Sequence, residues 1–221
     1  MTARPRTAMI LAAGRGERMR PLTDTVPKPL LRIRGKPLIE RHVERLAQAG
    51  IERIVINLAW LGWMIRDYLG DGTRHGVSIS YSEESPRALE TAGGIFRALP
   101  LLRPGPFLVV NGDILTDYGF ERVSLDDARD SHVVLVPNPP HHPRGDFGLQ
   151  GDAAVPAAGQ QYTFAGIATY RHEFFAGCED GVFPLKPLLV RSMGANRCSA
   201  ELYTGLWEDV GTPERLEALN A

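Results

Sequence analysis

Lysine is scarce. Only Lys28, Lys36 and Lys186 occur among 221 residues, so nearly all positive charge is arginine. A lysine inside a loop motif therefore carries more weight than surface filler. Cysteine is scarcer still. Cys178 and Cys198 form neither a C-x-x-C pair nor a zinc spacing, which excludes a disulfide framework or a zinc module and leaves two reduced thiols. Long apolar runs are missing, and none approaches the roughly 18 residues of a membrane helix. The stretch Ala8 to Ala13 stops at Gly14-Arg15-Gly16-Glu17-Arg18, too short for a signal peptide. Charge of one sign is not in excess: 25 basic against 26 acidic residues give a net charge of −1. That balance argues against a nucleic-acid coat or a membrane-surface protein, while permitting a local basic site for a phosphate ligand. The expectation is a cytoplasmic protein, monomeric or a small homo-oligomer, with neither nucleic acid nor membrane as partner.

What is present suits a packed α/β chain. Hydrophobic residues make 43% and charged residues 23%, and glycine plus proline total 40, a loop-rich composition. Met9 to Ala12 reads as a buried strand bounded by a Gly-rich turn. Residues 14–36 read as a long loop with five arginines, three prolines and two lysines. A helix begins at Pro37, with Leu38, Ile39, His42, Val43, Leu46 and Ala47 on one face, and Gly50 ends it. Strands follow at Ile54–Ile56, Val77–Tyr81, Phe107–Val110 and Val133–Val136, with helices at Trp60–Leu69 and near Gly93–Leu99. This alternation to residue 136 predicts a doubly wound, mostly parallel sheet. Beyond it come a proline-rich loop (Pro137–Pro143), a strand at Gln161–Tyr170, a helix at Pro184–Met193, an extended piece at Tyr203–Val210 and a closing helix at Pro213–Leu219. No repeat or linker divides the chain. The expected organisation is one domain, with a core at about 1–136, a lid region at about 137–206, and a closing segment at 207–221.

Ligands of such sheets bind beyond the carboxyl ends of strands. Here the first strand feeds into Ala12-Ala13-Gly14-Arg15-Gly16-Glu17-Arg18-Met19-Arg20. Two glycines let backbone amides approach phosphates, and arginines supply charge. Met19 stands where the dinucleotide fingerprint needs glycine, and no P-loop run exists. Pro27-Lys28-Pro29-Leu30 follows, and the flanking prolines restrict the backbone around Lys28. A fixed lysine near an arginine-rich loop suits a polyphosphate. Asp113 directly follows the Phe107–Val110 strand. A carboxylate beside phosphates needs a cation between them, which points to Mg²⁺. Asp209, in Trp207-Glu208-Asp209-Val210-Gly211-Thr212-Pro213, is the second acidic candidate. Glu208 competes with it, since alternation points the two to opposite faces. Ninety-six positions separate Asp113 from Asp209, so only the fold can join them.

Taken together, Leu11 to Met19, Pro27-Lys28-Pro29-Leu30, Asn111-Gly112-Asp113 and Trp207 to Pro213 resemble the signature of the sugar-1-phosphate nucleotidyltransferases. The resemblance implies that family's Rossmann-like fold with a small sugar-binding lid. It also implies in-line attack of a sugar-1-phosphate oxygen on the α-phosphorus of a nucleoside triphosphate, with pyrophosphate leaving. By resemblance, Leu11, Ala13 and Gly14 present backbone groups to the base, with Gly16, Glu17 and Gly93 also lining the nucleotide. Arg18 holds the departing phosphates, Lys28 stabilises charge on the α-phosphate, and Asp113 and Asp209 hold Mg²⁺. Asn111, Gly148 and Gly166 line the sugar. Glu83 or Glu84 meets the base edge, where uracil and guanine would serve equally.

Leu89-Glu90-Thr91-Ala92-Gly93-Gly94 resembles a particular branch of the family, in which UTP reacts with N-acetylmuramate 1-phosphate during cell-wall recycling. Ile56 to Gly62, Asn138 to Phe147 and Thr163 to Ile167 resemble it too. Glu90 stands where most of the family has glycine. The family's Glu-Lys-Pro segment, whose lysine contacts the sugar phosphate, is replaced here by Ala157-Ala158-Gly159-Gln160-Gln161, leaving Lys186 or Arg144 as substitutes. His141 and His142 lie on a loop placed to cover the sugar. Competing expectations are a mannose-1-phosphate guanylyltransferase, a glucose-1-phosphate thymidylyl- or uridylyltransferase, and a nucleotide-sugar sensor without turnover.

Overall fold

A computed structural model describes residues 2–84, 88–156 and 159–221. The strand β1 (Thr7–Leu11) lies inside the parallel part of the main sheet. Its run Thr-Ala-Met-Ile-Leu carries apolar residues to both faces, as a strand covered on both sides requires. Parallel neighbours flank it: β2 (Arg53–Leu58) on one side and β4 (Phe107–Asn111) on the other, with Ile10 opposite both Ile56 and Val110. β3 (Ser78–Glu83) extends the parallel run beyond β2.

Helix α1 (Leu38–Gln48) follows Pro37 and buries Leu38, Ile39, His42, Val43 and Leu46, the expected stripe. It stops where Gly50 takes φ 86°, a left-handed conformation that costs glycine little. α2 (Gly62–Leu69) begins two residues later than the sequence suggests, because Leu61 turns left-handed. α3 (Glu90–Ala98) begins three residues earlier, at a left-handed Glu90 with φ 60°. Two apolar layers result. One joins α1 and α2 to the sheet, the other joins α3 and α4 (Lys186–Gly194) to its opposite face.

Strand–helix alternation ends at β4. The short β5 (Ile114–Thr116), a single helical turn and a two-residue strand at Leu125–Asp126 lie between it and β6 (Ser131–Val136). β6 does not neighbour β4. The ten-residue β9 (Gln161–Tyr170) inserts between them, antiparallel to both. A hairpin of β7 (Phe147–Gln150) and β8 (Ala153–Val155), and β10 (Cys198–Leu202), complete a nine-stranded sheet in the order β6-β10-β8-β7-β9-β4-β1-β2-β3. The sheet is parallel through β1 to β4, and β10 is parallel to β6, while β9 and the hairpin bring in antiparallel pairing.

The hairpin and β10 have no counterpart among the expected strands. Cys-Ser-Ala-Glu-Leu has weak strand propensity, and pairing with β6 selects it. The extended piece expected at 203–210 shrinks to β11 (Trp207–Asp209), which pairs antiparallel with β5 outside the main sheet. α5 (Pro213–Asn220) closes the chain, its first turn capped by the Thr212 hydroxyl. No helix is long and apolar enough to cross a membrane among the described residues.

Candidate active site

The loop after β1 sorts its arginines. Arg15 lies over the Trp60 ring, 3.9 Å from its centroid, and donates to the Thr23 carbonyl and to Asp24 Oδ1 at 2.8 and 2.6 Å. That guanidinium holds the Asp24 carboxyl below its ordinary pKa. Arg20 lies 2.9 Å from the same Asp24 oxygen. Arg18 makes no hydrogen bond or ion pair with the described residues. Gly16 is left-handed, and a Cβ there would lie 3.0 Å from Thr23 Cγ2 and 3.3 Å from Lys28 Cβ, so the turn packs on the lysine stem. Met19 buries completely and anchors the loop.

Lys28 follows an extended Pro27 at the start of a helical turn, with its stem buried. Its ammonium donates to Asp113 Oδ2 across 85 positions of sequence. Asp113 follows β4 at the carboxyl edge of the sheet. The β5–β11 ladder then places Asp209 opposite Ile114, and the Val210 N–H donates to the Asp113 carbonyl at 2.8 Å. The two acidic candidates, far apart in sequence, therefore sit on adjoining backbone positions. Asp209 Oδ1 accepts from Arg215 Nη1 at 2.5 Å and lies 2.9 Å from His141 Nε2. Around Gly211, a Cβ would meet Arg215 Nη1 and Asp209 Oδ2 at 2.9 Å each and Arg18 Nη2 at 3.4 Å. Arg18 thus points its unpaired charge at the same corner. Glu208 is exposed and lines a second cavity together with Trp207 and Arg215.

Leu11, Ala13, Gly14, Lys28, Glu84, Asn111 and Asp113 line one cavity of about 240 Å³. Asn57, Glu90 and Thr91 join them. Glu84 is buried, and both its oxygens are engaged: Oε1 accepts from Asn57 Nδ2 at 2.6 Å, Oε2 from the Leu89 N–H at 2.7 Å. Asn57 Oδ1 accepts from the Ala12 N–H at 2.7 Å. This chain of bonds ties the Gly-rich loop to the start of α3, so Glu84 braces the cavity wall. Glu83 pairs instead with Arg66 at the surface.

Gly93 sits elsewhere, with its N–H donating to the Phe183 carbonyl and its Cα face against Gly181. Gly166 is left-handed at φ 72°, and a Cβ there would meet Asn111 Nδ2 at 2.5 Å, which brings two of the expected sugar contacts together. Gly148 is paired within the β7–β8 hairpin. Glu17 is exposed beside Arg20. Residues 157 and 158, where the family's Glu-Lys-Pro is missing, lie outside the described residues. Lys186 places its ammonium 5.7 Å from the Phe147 ring centroid, and Arg144 is exposed. Cys198 is buried, which pushes its thiol up to about 11, and neither cysteine forms a disulfide.

Arg215 was absent from the sequence-based assignment. Its signal was local: it lies one turn into the closing helix, six positions after Asp209. Asn57 was noted only as part of a resemblance, because its bonds to Ala12 and Glu84 exist only in the fold.

The carboxylates of Asp113 and Asp209, on adjoining backbone positions, are the acidic donors a hard divalent ion would use in place of their present partners Lys28 and Arg215. Mg²⁺ takes one or two protein carboxylates together with phosphates and water. A different trio, Glu40, Glu44 and His75, lies within 4.8 Å among the described residues. Lys36 holds both Glu44 oxygens and Tyr68 donates to Glu40.

A parallel sheet ending in a Gly-rich loop, a pinned lysine and paired aspartates defines a nucleotidyl-transfer class. The chain belongs to the nucleotidyltransferase family, whose profile matches residues 7–151. It is 56% identical over 223 residues to the N-acetylmuramate alpha-1-phosphate uridylyltransferase of Neisseria meningitidis serogroup B, covering 97% of this chain and 96% of that one. The enzyme of the same name from Caulobacter vibrioides is 34% identical, covering 100% of this chain and 98% of that one. Among solved structures, the inositol-1-phosphate CTP transferase of T. maritima superposes with a TM-score of 0.76 at 19% identity, covering 99% of this chain and 96% of that one. That likeness confirms the α/β fold.

Proposed function

We propose that the protein transfers a uridylyl group from UTP to N-acetylmuramate 1-phosphate, giving UDP-N-acetylmuramate and pyrophosphate, with Mg²⁺ as the metal. The observation that carries the reading is the convergence of Lys28, Arg18, Asp113 and Asp209 at one corner of the sheet, in a chain so similar to the Neisseria enzyme. A binding module without turnover would not need a buried lysine facing paired aspartates.

In this reading the backbone of Leu11 to Gly14 receives the base, braced by Asn57 and Glu84. Arg18 meets the β- and γ-phosphates and stabilises the departing pyrophosphate. Lys28 leaves Asp113 for the α-phosphate, where charge grows as the sugar-phosphate oxygen attacks in line. Asn111 and the backbone at Gly166 orient the sugar. Asp113 and Asp209 would hold the divalent ion, which neutralises phosphate charge and aligns the reacting groups. Positioning and charge stabilisation carry the reaction, with no covalent enzyme intermediate. The substrates are charged metabolites, which fits a cytoplasmic enzyme in the reuse of cell-wall sugars.

The test is pyrophosphate release with Mg²⁺ over UTP, dTTP, GTP, CTP and ATP, each against the 1-phosphates of N-acetylmuramate, N-acetylglucosamine, glucose and mannose. Turnover confined to UTP with N-acetylmuramate 1-phosphate is expected. A preference for GTP with mannose 1-phosphate would reassign the substrate and leave the chemistry standing. Nucleotide binding without turnover in any combination would overturn the enzyme reading.

A further inference from the structure

A second cavity, of about 620 Å³, is lined in part by Trp207 and by Arg215, whose guanidinium pairs with Asp209. Pro139, Pro140 and Trp207 give it an apolar wall, while His141 and Arg215 supply donors. Glu208 stands at its exposed rim. The cavity is distinct from the one that ends in Lys28 and Asp113, yet its cationic side touches the reaction corner through Asp209.

The donors of Arg215 are unequally used. Nη1 donates to Asp209 Oδ1 at 2.5 Å and to the Asp209 carbonyl at 3.3 Å. Nη2 and Nε make no hydrogen bond with the described residues, although the side chain as a whole is three-quarters buried. Asp209 fixes the guanidinium in place, and the remaining N–H groups are left for a second acceptor. A guanidinium held in one orientation loses little freedom on binding a carboxylate and offers it two parallel bonds.

The proposed substrate presents such an acceptor. N-acetylmuramate 1-phosphate carries a lactyl ether whose carboxylate is absent from N-acetylglucosamine 1-phosphate. A second anionic group entering a half-enclosed pocket needs its own cation, because burying it unpaired is costly. Lys28 is engaged by Asp113, and Arg18, which also reaches the corner at Gly211, is assigned to the triphosphate in the proposed reaction. Resting on that substrate reading, we propose that Arg215, with His141 beside it, receives the lactyl carboxylate and so sets the choice of sugar. The apolar wall of Trp207 and the prolines suits the less polar face of the sugar ring.

The test compares kcat/KM for N-acetylmuramate 1-phosphate with that for N-acetylglucosamine 1-phosphate, using UTP and Mg²⁺. Where the second sugar turns over too slowly, its inhibition constant replaces its KM. Arg215→Gln is expected to lower the ratio at least tenfold, and His141→Gln to lower it in the same direction by less. The His141 change lies on a surface loop and keeps the test open should Arg215→Gln fail to fold. Equal losses on both sugars would mean that Arg215 acts only through Asp209, and would overturn the proposal. A fall in the ratio with Arg144→Gln but not with Arg215→Gln would overturn it as well. Should the unaltered protein turn over neither sugar, the substrate reading itself would fail, a result that cannot be mistaken for the other two.

Discussion

Replacing Lys28 with alanine separates the chemical role of this side chain from its structural one. The lysine stem is buried, and its ammonium pairs with Asp113, whose side chain is 35% exposed. An ion pair open to solvent on one side contributes at most about 1 kcal/mol to folding. For a chain of this size that is a fall in Tm of roughly 2–4 °C. The transition state asks more of the lysine. Two unit charges 4 Å apart interact by about 4 kcal/mol at an effective dielectric of 20. Removing one preorganised donor from a developing charge costs ~10²–10³ in kcat. Lys28→Ala is therefore expected to lower kcat by two to three orders of magnitude, with the KM for either substrate changing less than about tenfold. Lys28→Arg should recover part of the loss. Initial rates of pyrophosphate release, with thermal melts of the same preparations, give both numbers. A raised sugar KM with kcat intact would refute the reasoning, because the lysine would then bind ground and transition states equally.

The two arginines of the Gly-rich loop should part company. Arg18→Ala is expected to weaken UTP binding at least tenfold with an unchanged melting temperature, since the Arg18 side chain has no hydrogen-bond or ion-pair partner among the described residues. Arg15→Ala, which loses Trp60, Asp24 and a carbonyl, should cost about 1–2 kcal/mol of stability by urea unfolding. Removing divalent ions with a chelator should abolish turnover and Mg²⁺ restore it. Asp209→Asn should weaken Mn²⁺ binding, followed by electron paramagnetic resonance, at least tenfold, and an unchanged affinity would remove Asp209 from the metal site. Stability should also depend on one buried histidine. Burial lowers His42 to about 4, against about 6.5 when unfolded. Between those values the unfolded chain binds a proton that the folded chain refuses, so stability falls as pH falls through that window and is unaffected above it. Urea midpoints should report a loss of about 2 kcal/mol between pH 7 and pH 5, flattened in His42→Leu.

The chain's own sequence determined whatever depends on near neighbours. The apolar run of β1 buries on both faces wherever it is covered by helices, the glycines beside Arg15 force a turn, and prolines around Lys28 hold its backbone extended and then turned. The stripe of α1 and its stop at Gly50 follow from helical spacing alone. These features need only sterics, propensity and hydrophobic period, and they were legible. Asp113 and Asp209 stand out as acidic candidates on equally local grounds, because each ends an extended run. Tertiary structure decided the rest. It joined Asp113 to Asp209 through β5 and β11, a pairing no local rule specifies. It gave Arg15 and Arg20 partners in Asp24 and left Arg18 without a hydrogen bond or ion pair among the described residues. It set Glu84, in the cavity wall, between Asn57 and Leu89, and laid Gly93 against the chain at Gly181. It inserted β9 between β4 and β6, and it brought Arg215 and His141 onto a single carboxylate oxygen. Each of these depends on contacts between distant segments, whose geometry is set by how the sheet closes and not by any residue's immediate neighbours.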